Sequence, residues 1–266
     1  MIDSHCHLDL LASRKNLEVA LDSAVSNGLS RIMAPSVHYE SWRELQNIAD
    51  QYRNIIPVDS ALGLHPYFLD ANDALPSDKV ISHQLSLLEE AALARHASVK
   101  AIGETGVDGH IDTPVKLQQQ VFNAHLALAE RVSLPVIVHH RKSHHLLLEC
   151  FKQSNYQGSG VIHAFSGSVE IAKGYIERGF YLGIGGTITY ERAKKTRETL
   201  GYLLEHHIDK LLLETDAPDM PMCGRQGEPN EPGYLTDVVD AISKLYSVEK
   251  SEVIAATTRN YFRLFG

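Results

Sequence analysis

The chain has 266 residues, 44% hydrophobic and 22% charged, which suffices to bury a large core and suits a single α/β barrel domain spanning 1–266. Its formal charge of -8 excludes broad electrostatic capture of nucleic acid, although it leaves the field inside one cleft open. No apolar run approaches the ~18 residues of a membrane span, and no basic stretch followed by an apolar one opens the chain, so a cytoplasmic protein without a membrane partner is expected.

Short β-branched or apolar runs alternate with longer amphipathic stretches from end to end, without repeats or a linker. The alternation predicts strands near residues 2–7, 30–36, 56–63, 98–103, 134–140, 159–165, 179–185 and 209–215, with helices between them. Eight such units in this length favour a closed (β/α)8 TIM barrel over an open doubly wound sheet. The turn after the first strand reads Ser4-His5-Cys6-His7 where a dinucleotide-binding sheet would carry glycines. Two connections are long, 64–78 and 217–233, and long loops on that side of a barrel shape its substrate site. Cys6, Cys150 and Cys223 are scattered and pair in no C-x-x-C motif, which points to reduced, mostly buried thiols.

Residues with metal-ligand chemistry recur at the predicted carboxyl ends of strands, where barrel enzymes assemble their sites. His5 and His7 are two apart on an extended segment, so both imidazoles leave one face about 7 Å apart at the backbone, and Cys6 points the other way. His65 follows Gly63-Leu64. Glu104 ends the run Ala101-Ile102-Gly103, and its two carboxylate oxygens can bridge two ions. No lysine stands at an equivalent position to be carbamylated instead. His139 and His163 end neighbouring strands and complete a second position, while His140 faces away by alternation. Asp216 follows Leu211-Leu212-Leu213-Glu214-Thr215, just before a strand-stopping Pro218, and can ligate an ion and accept a proton from an attacking water. Glu214 lies deeper, suited to a hydrogen bond with a ligating histidine. Four imidazoles and two carboxylates suit two divalent ions, zinc, manganese or magnesium, with the donor types favouring the transition metals. Such ions would make the pocket locally positive in an acidic chain.

These segments resemble the TatD family of metal-dependent deoxyribonucleases, in the amidohydrolase superfamily, along essentially the whole chain. The likeness is carried by Ile2-Asp-Ser-His-Cys-His-Leu, Gly63-Leu-His-Pro, Gly103-Glu-Thr-Gly-Val-Asp and Leu213-Glu-Thr-Asp-Ala-Pro. His163-Ala-Phe-Ser-Gly-Ser, Gly185-Gly-Thr-Ile-Thr-Tyr and Asp219-Met-Pro are closest to its YjjV-like branch. The resemblance implies that His5, His7, Glu104 and Asp216 hold one ion and Glu104, His139 and His163 the other. It also implies catalytic roles for Asp216, Glu104 and His65, with His65, Asp108 and Arg141 near the substrate. The basic segment Arg192-Ala-Lys-Lys-Thr-Arg reads as a solvated helix face that could alternatively meet a phosphate backbone.

The expected activity is hydrolysis of a phosphodiester, of the 3′ to 5′ exonuclease type on short single-stranded or damaged DNA, with no obligate protein partner. The same site could instead open a small ester, lactone, amide or aminoacyl ester, because fold and metals serve both phosphorus and carbonyl centres. A metal-stabilised binding protein without turnover is the remaining class.

Overall fold

The structure, a computed structural model, describes residues 1–69 and 77–266. Eight parallel strands stand side by side in chain order: β1 (Ile2–Asp3), β2 (Arg31–Pro35), β3 (Val58–Leu62), β4 (Val99–Asp108), β5 (Val136–Arg141), β6 (Gly160–Ile162), β7 (Tyr181–Ile184) and β8 (Leu211–Leu213). The last meets the first. Ser4 N–H donates to the Leu213 carbonyl at 2.9 Å, and Asp216 and His7 N–H groups donate across the same seam to His5 and Ala217. The result is the predicted TIM barrel.

Around it run α1 (Leu8–Ala12), α2 (Leu17–Ser26), α3 (Ser41–Tyr52), α4 (Asp78–Ala94), α5 (Val115–Val132), α6 (His144–Ser154), α7 (Val169–Ile176), α8 (Lys194–His206), α9 (Leu235–Tyr246) and α10 (Lys250–Phe265). Local chemistry sets several starts: Asn16, Ser77 and Ser168 cap α2, α4 and α7 by accepting a backbone N–H three residues on. Among the described residues no helix is long and apolar enough to cross a membrane.

The core has two parts. One lies between strands and helices and includes Cys6, Ile32, Leu62, Phe122 and Val138. The other fills the barrel with one inward residue per strand, among them Met33, Ala61, Ala101, Ile137, Val161 and Leu212, and α10 adds Tyr261, Leu264 and Phe265. Side chains pack the barrel floor, so chemistry is confined to the opposite rim.

The strand bounds differ from expectation in an informative way. The first, sixth and eighth ladders are shorter than predicted, ending at Asp3, Ile162 and Leu213, so His5, His7, His163 and Asp216 sit just beyond the strand ends. β4 is longer and runs five residues past the expected end at 103. Gly106 permits this, because any Cβ there would lie 2.1 Å from the His139 carbonyl oxygen. The register shifts between Ile102 and Thr105, and pairing with β5 then continues to Asp108 opposite Arg141. Glu104 is thus inside a strand, not at its end. Of the expected long connection 64–78, residues 70–76 lie outside the described residues; Pro66–Phe68 form one 3-10 turn.

Candidate active site

Glu104 is 1% exposed at the centre of the rim, and its two oxygens face different neighbours. Oε2 lies 3.1 Å from His5 Nε2 and 3.4 Å from His7 Nε2. Those two nitrogens are 3.2 Å apart, and each is 3.5 Å from Asp216 Oδ1. Oε1 lies 2.7 Å from His163 Nε2, 3.1 Å from His139 Nδ1 and 3.3 Å from His65 Nε2. All the predicted ligand residues are brought together, in two groups that share one carboxylate.

These spacings suit metal coordination, since donors about 2.1 Å from a tetrahedral ion lie about 3.4 Å from one another. Among the described residues, three trios of His, Asp and Glu could hold an ion by proximity alone: His5, His7 and Asp216; His65, Glu104 and His139; and His5, His163 and Glu214. Tautomers narrow the choice. A neutral imidazole has one N–H and one lone pair, and its outer partner decides which nitrogen carries which. His7 donates Nδ1–H to the Pro35 carbonyl at 3.2 Å, so in the neutral form that a metal ligand requires its lone pair is on Nε2, toward Asp216 and Glu104. His139 has Nε2 against Asp108 Oδ2 at 3.2 Å, which turns its Nδ1 lone pair toward Glu104 and His163. His65 is the reverse: its Nδ1 accepts from Tyr67 N–H at 3.1 Å, so Nε2 carries the proton and donates toward Glu104. His65 is built as a hydrogen-bond donor rather than a metal ligand.

Electrostatics follow from burial among opposed charges. Burial alone would push the Glu104 carboxyl up, but the His163, His65 and His5 imidazoles and the His139 hydrogen bond hold it well below the usual range. Asp216 likewise stays low, burial being outweighed by its bond to His7 and by His163 and His5. His7 is pushed up to about 9, its desolvation overcome by Asp216 and Glu104. His65 goes the other way, down to about 4, because burial dominates. It is therefore neutral at physiological pH, as a donor to an anionic oxygen should be.

The remaining predicted residues fall in different places. Asp108, expected at the substrate, is 3% exposed, and its carboxylate is engaged by His139 Nε2 and the His110 N–H, so it orients the imidazole. Arg141 is exposed at the end of β5, beside Asp108 in the ladder. Glu214 departs from expectation. Its Oε1 is 3.8 Å from His163 Nδ1, too far for a hydrogen bond, and accepts instead from Ala164 N–H at 2.5 Å. It thereby fixes the backbone beside His163, in a space opened by Gly183, where a Cβ would meet Glu214 Oε2 at 2.1 Å. His140 faces away as expected: its ring is buried 4.2 Å from that of His144 and 6.0 Å from that of Phe165.

Several supporting residues carry no signal in the sequence because their partners are distant along it. Gln118 on α5 clamps Asp108 by accepting its N–H at 2.7 Å and donating to its carbonyl at 3.1 Å. Asp3 accepts from the Thr215 hydroxyl at 2.6 Å and from the His5 N–H at 3.2 Å, tying β1 to the Asp216 segment. Asn230 donates to the Thr215, Asp219 and Met220 carbonyls and so shapes the loop after β8.

His125 on α5 supports the His65 segment and gives a stability prediction. Its Nδ1–H donates to the Val121 carbonyl at 2.8 Å, and its Nε2 accepts from Leu64 N–H at 3.0 Å, so protonation would break the second bond. Burial lowers its pKa from 6.5 to about 4. Between these values the unfolded state binds more protons than the folded one, so stability is full above pH 6.5 and falls as pH drops toward 4. The contribution is about 1.4 kcal/mol per pH unit over that window. Urea midpoints at pH 7, 6 and 5 should fall less steeply for His125→Gln than for wild type; equal slopes would show that another group is responsible.

With the geometry in place, comparison with known proteins is decisive. The family of TatD related DNases matches residues 2–266. The chain belongs to the TatD family. It is 37% identical to the Escherichia coli protein named as the uncharacterized metal-dependent hydrolase YjjV, over 99% of this chain and 97% of that one. It is 32% identical to Bacillus subtilis YabD, which carries the same designation, over 100% and 98%. The crystal structure of E. coli YjjV, a TatD homologue, superposes with a TM-score of 0.89 at 36% identity, covering 100% of this chain and 97% of that one. The class of this TatD protein is accordingly metal-dependent hydrolase.

Proposed function

We propose that this protein is a dinuclear phosphodiesterase that releases nucleotides from the 3′ end of short or damaged single-stranded DNA in the cytoplasm. The observation that carries the reading is the division of Glu104: one oxygen faces His5 and His7, the other His139 and His163. In this reading His5, His7, Asp216 and Glu104 hold one divalent ion, and Glu104, His139 and His163 hold a second. Such a pair supplies Lewis acidity and an activated water for attack at phosphorus.

The chain's own groups do the rest. Asp216, ionised and at the mouth of the cluster, takes the proton released by the attacking water and returns it to the 3′-oxygen of the shortened strand as the P–O3′ bond breaks. His65 donates from Nε2 to a non-bridging phosphoryl oxygen, where negative charge grows. Asp108 holds His139 in register, and Arg141 meets the substrate's phosphate at the rim. The TatD related DNase family match supports a nucleic-acid substrate.

The test is a metal-supplemented digest of end-labelled single-stranded, duplex and circular DNA, run beside Asp216→Asn to exclude a contaminating nuclease. The expected result is stepwise shortening of single strands from the 3′ end, abolished by chelation and restored by divalent ions. Intact oligonucleotides together with efficient hydrolysis of a carbonyl ester would replace this reading with an esterase or lactonase. A finer check uses adjacent histidines on opposite faces of β5: His139→Asn should lose at least about a hundredfold in turnover, by analogy with the 10–100-fold cost of removing even an outer partner of a ligand. His140→Asn should stay within a few-fold. Equal losses would contradict the assignment of His139.

A further inference from the structure

The rim beside Asp216 opens into a groove that the chemistry above does not use. A small space lined by Thr215, Asp216 and Gly186 shares Thr187 and Met220 with a larger cavity of about 430 Å³. The larger one is walled by Thr187, Tyr190, Arg192, Ala193, Met220 and Pro221, from the loops after β7 and β8. We propose that this cavity is the subsite for the nucleoside next to the scissile phosphodiester, its base packed against Tyr190 and Met220 and its outer phosphate paired with Arg192. The proposal rests on the phosphodiesterase reading and names the part of the substrate that the rim selects.

Three observations carry it. The first is chemical: the Arg192 guanidinium lies over the Tyr190 ring, 4.7 Å from its centroid, so an aromatic ring and a planar cation are stacked together in one wall. Bases stack on both kinds of surface, and guanidinium pairs with phosphate. Met220, 39% exposed, adds a polarisable thioether to the wall.

The second is that the cavity is preformed. The Tyr190 hydroxyl donates to the Pro221 carbonyl at 2.7 Å, and Cys223 N–H donates to Thr189 Oγ1 at 2.8 Å, so the two loops are strapped together. Asn230 holds the Asp219 and Met220 carbonyls from behind. A wall fixed before binding loses little entropy when it is filled.

The third is selective orientation within one basic segment. Arg197 turns inward, donating from Nε to the Ile188 carbonyl at 2.9 Å and from Nη2 to the Thr189 carbonyl at 3.3 Å, and so braces the loop. Arg192 is exposed at the cavity. The segment is therefore neither a uniform solvated face nor a uniform phosphate track.

The test compares a trinucleotide with methyl p-nitrophenyl phosphate, a diester lacking both base and second phosphate. For Arg192→Gln and Tyr190→Leu, the ratio of kcat/KM for trinucleotide over model diester should fall about tenfold, mainly through KM, as expected for one lost stacking or pairing contact. Tyr190→Phe should restore most of the loss, separating the ring from its strap. A second arm irradiates Asp216→Asn protein with a trinucleotide carrying 5-iodouracil; the expected cross-link maps to the peptide containing Tyr190. An unchanged ratio with cross-links elsewhere would overturn the subsite while leaving the hydrolase reading intact. Absence of turnover on both substrates would overturn the phosphodiesterase reading, and the cross-link would then decide the subsite alone.

Discussion

Glu104→Ala is expected to remove both bound metals, whereas removal of any one histidine should weaken chiefly one. The carboxylate faces both donor clusters with different oxygens, Oε2 3.1 Å from His5 and Oε1 2.7 Å from His163. Its loss deletes a ligand from each ion and also the negative charge that screens their mutual repulsion. Even an outer partner of a metal ligand is worth about 10–100-fold in affinity, so a shared ligand should cost at least about a hundredfold at each position. Elemental analysis after gel filtration reads the outcome directly: near zero metal for Glu104→Ala, with His163→Ala keeping about half. Glu104→Gln, which preserves the shape, should behave like the alanine variant if charge matters most. Retention of two metals per chain by Glu104→Ala would end the bridging assignment.

Asp216→Asn should lower kcat by about a thousandfold, the middle of the usual 10²–10⁴ range for a positioned acid or base. Asparagine can still offer an oxygen to a metal but cannot take a proton, so turnover should collapse while much of the metal remains. The fold should survive, because the segment is held mainly through its backbone: Asp216 N–H donates to His5, Thr215 N–H donates to Asp3, and the Thr215 carbonyl accepts from Asn230. Asp216 also has φ +59, a left-handed conformation that asparagine tolerates as well as aspartate. Single-turnover rates and metal content measured on the same preparation would separate the effects. Metal content falling in step with the rate would make Asp216 a ligand without a proton-transfer role.

Much of this was legible in the order of residues. Alternation of apolar runs with amphipathic stretches is a local signal, so the barrel could be read without coordinates, and so could His5, His7, His139 and His163 as donors on one rim. Their faces follow from the two-residue period of an extended chain, which also set His140 aside. Strand ends were less legible, because a ladder stops where a neighbour stops. β4 illustrates this, continuing to Asp108 on pairing with β5 that Gly106 makes possible.

Sequence by itself determined the kind of chemistry: which side chains with lone pairs stand where strands end, and that one carboxylate among them could bridge. Tertiary structure decided how each is used. Asp108 became an orienting group because His139 Nε2 reaches it, His65 became a donor because Tyr67 N–H occupies its other nitrogen, and Glu214 became a backbone anchor because Ala164 N–H is nearer than His163. The reason is physical. A residue's type fixes what it can donate or accept, but its proton, tautomer and charge are set by its partners: Tyr67 is a local one in the turn after His65, whereas His139 and Ala164 lie 31 and 50 positions from Asp108 and Glu214 and meet them only when the barrel closes.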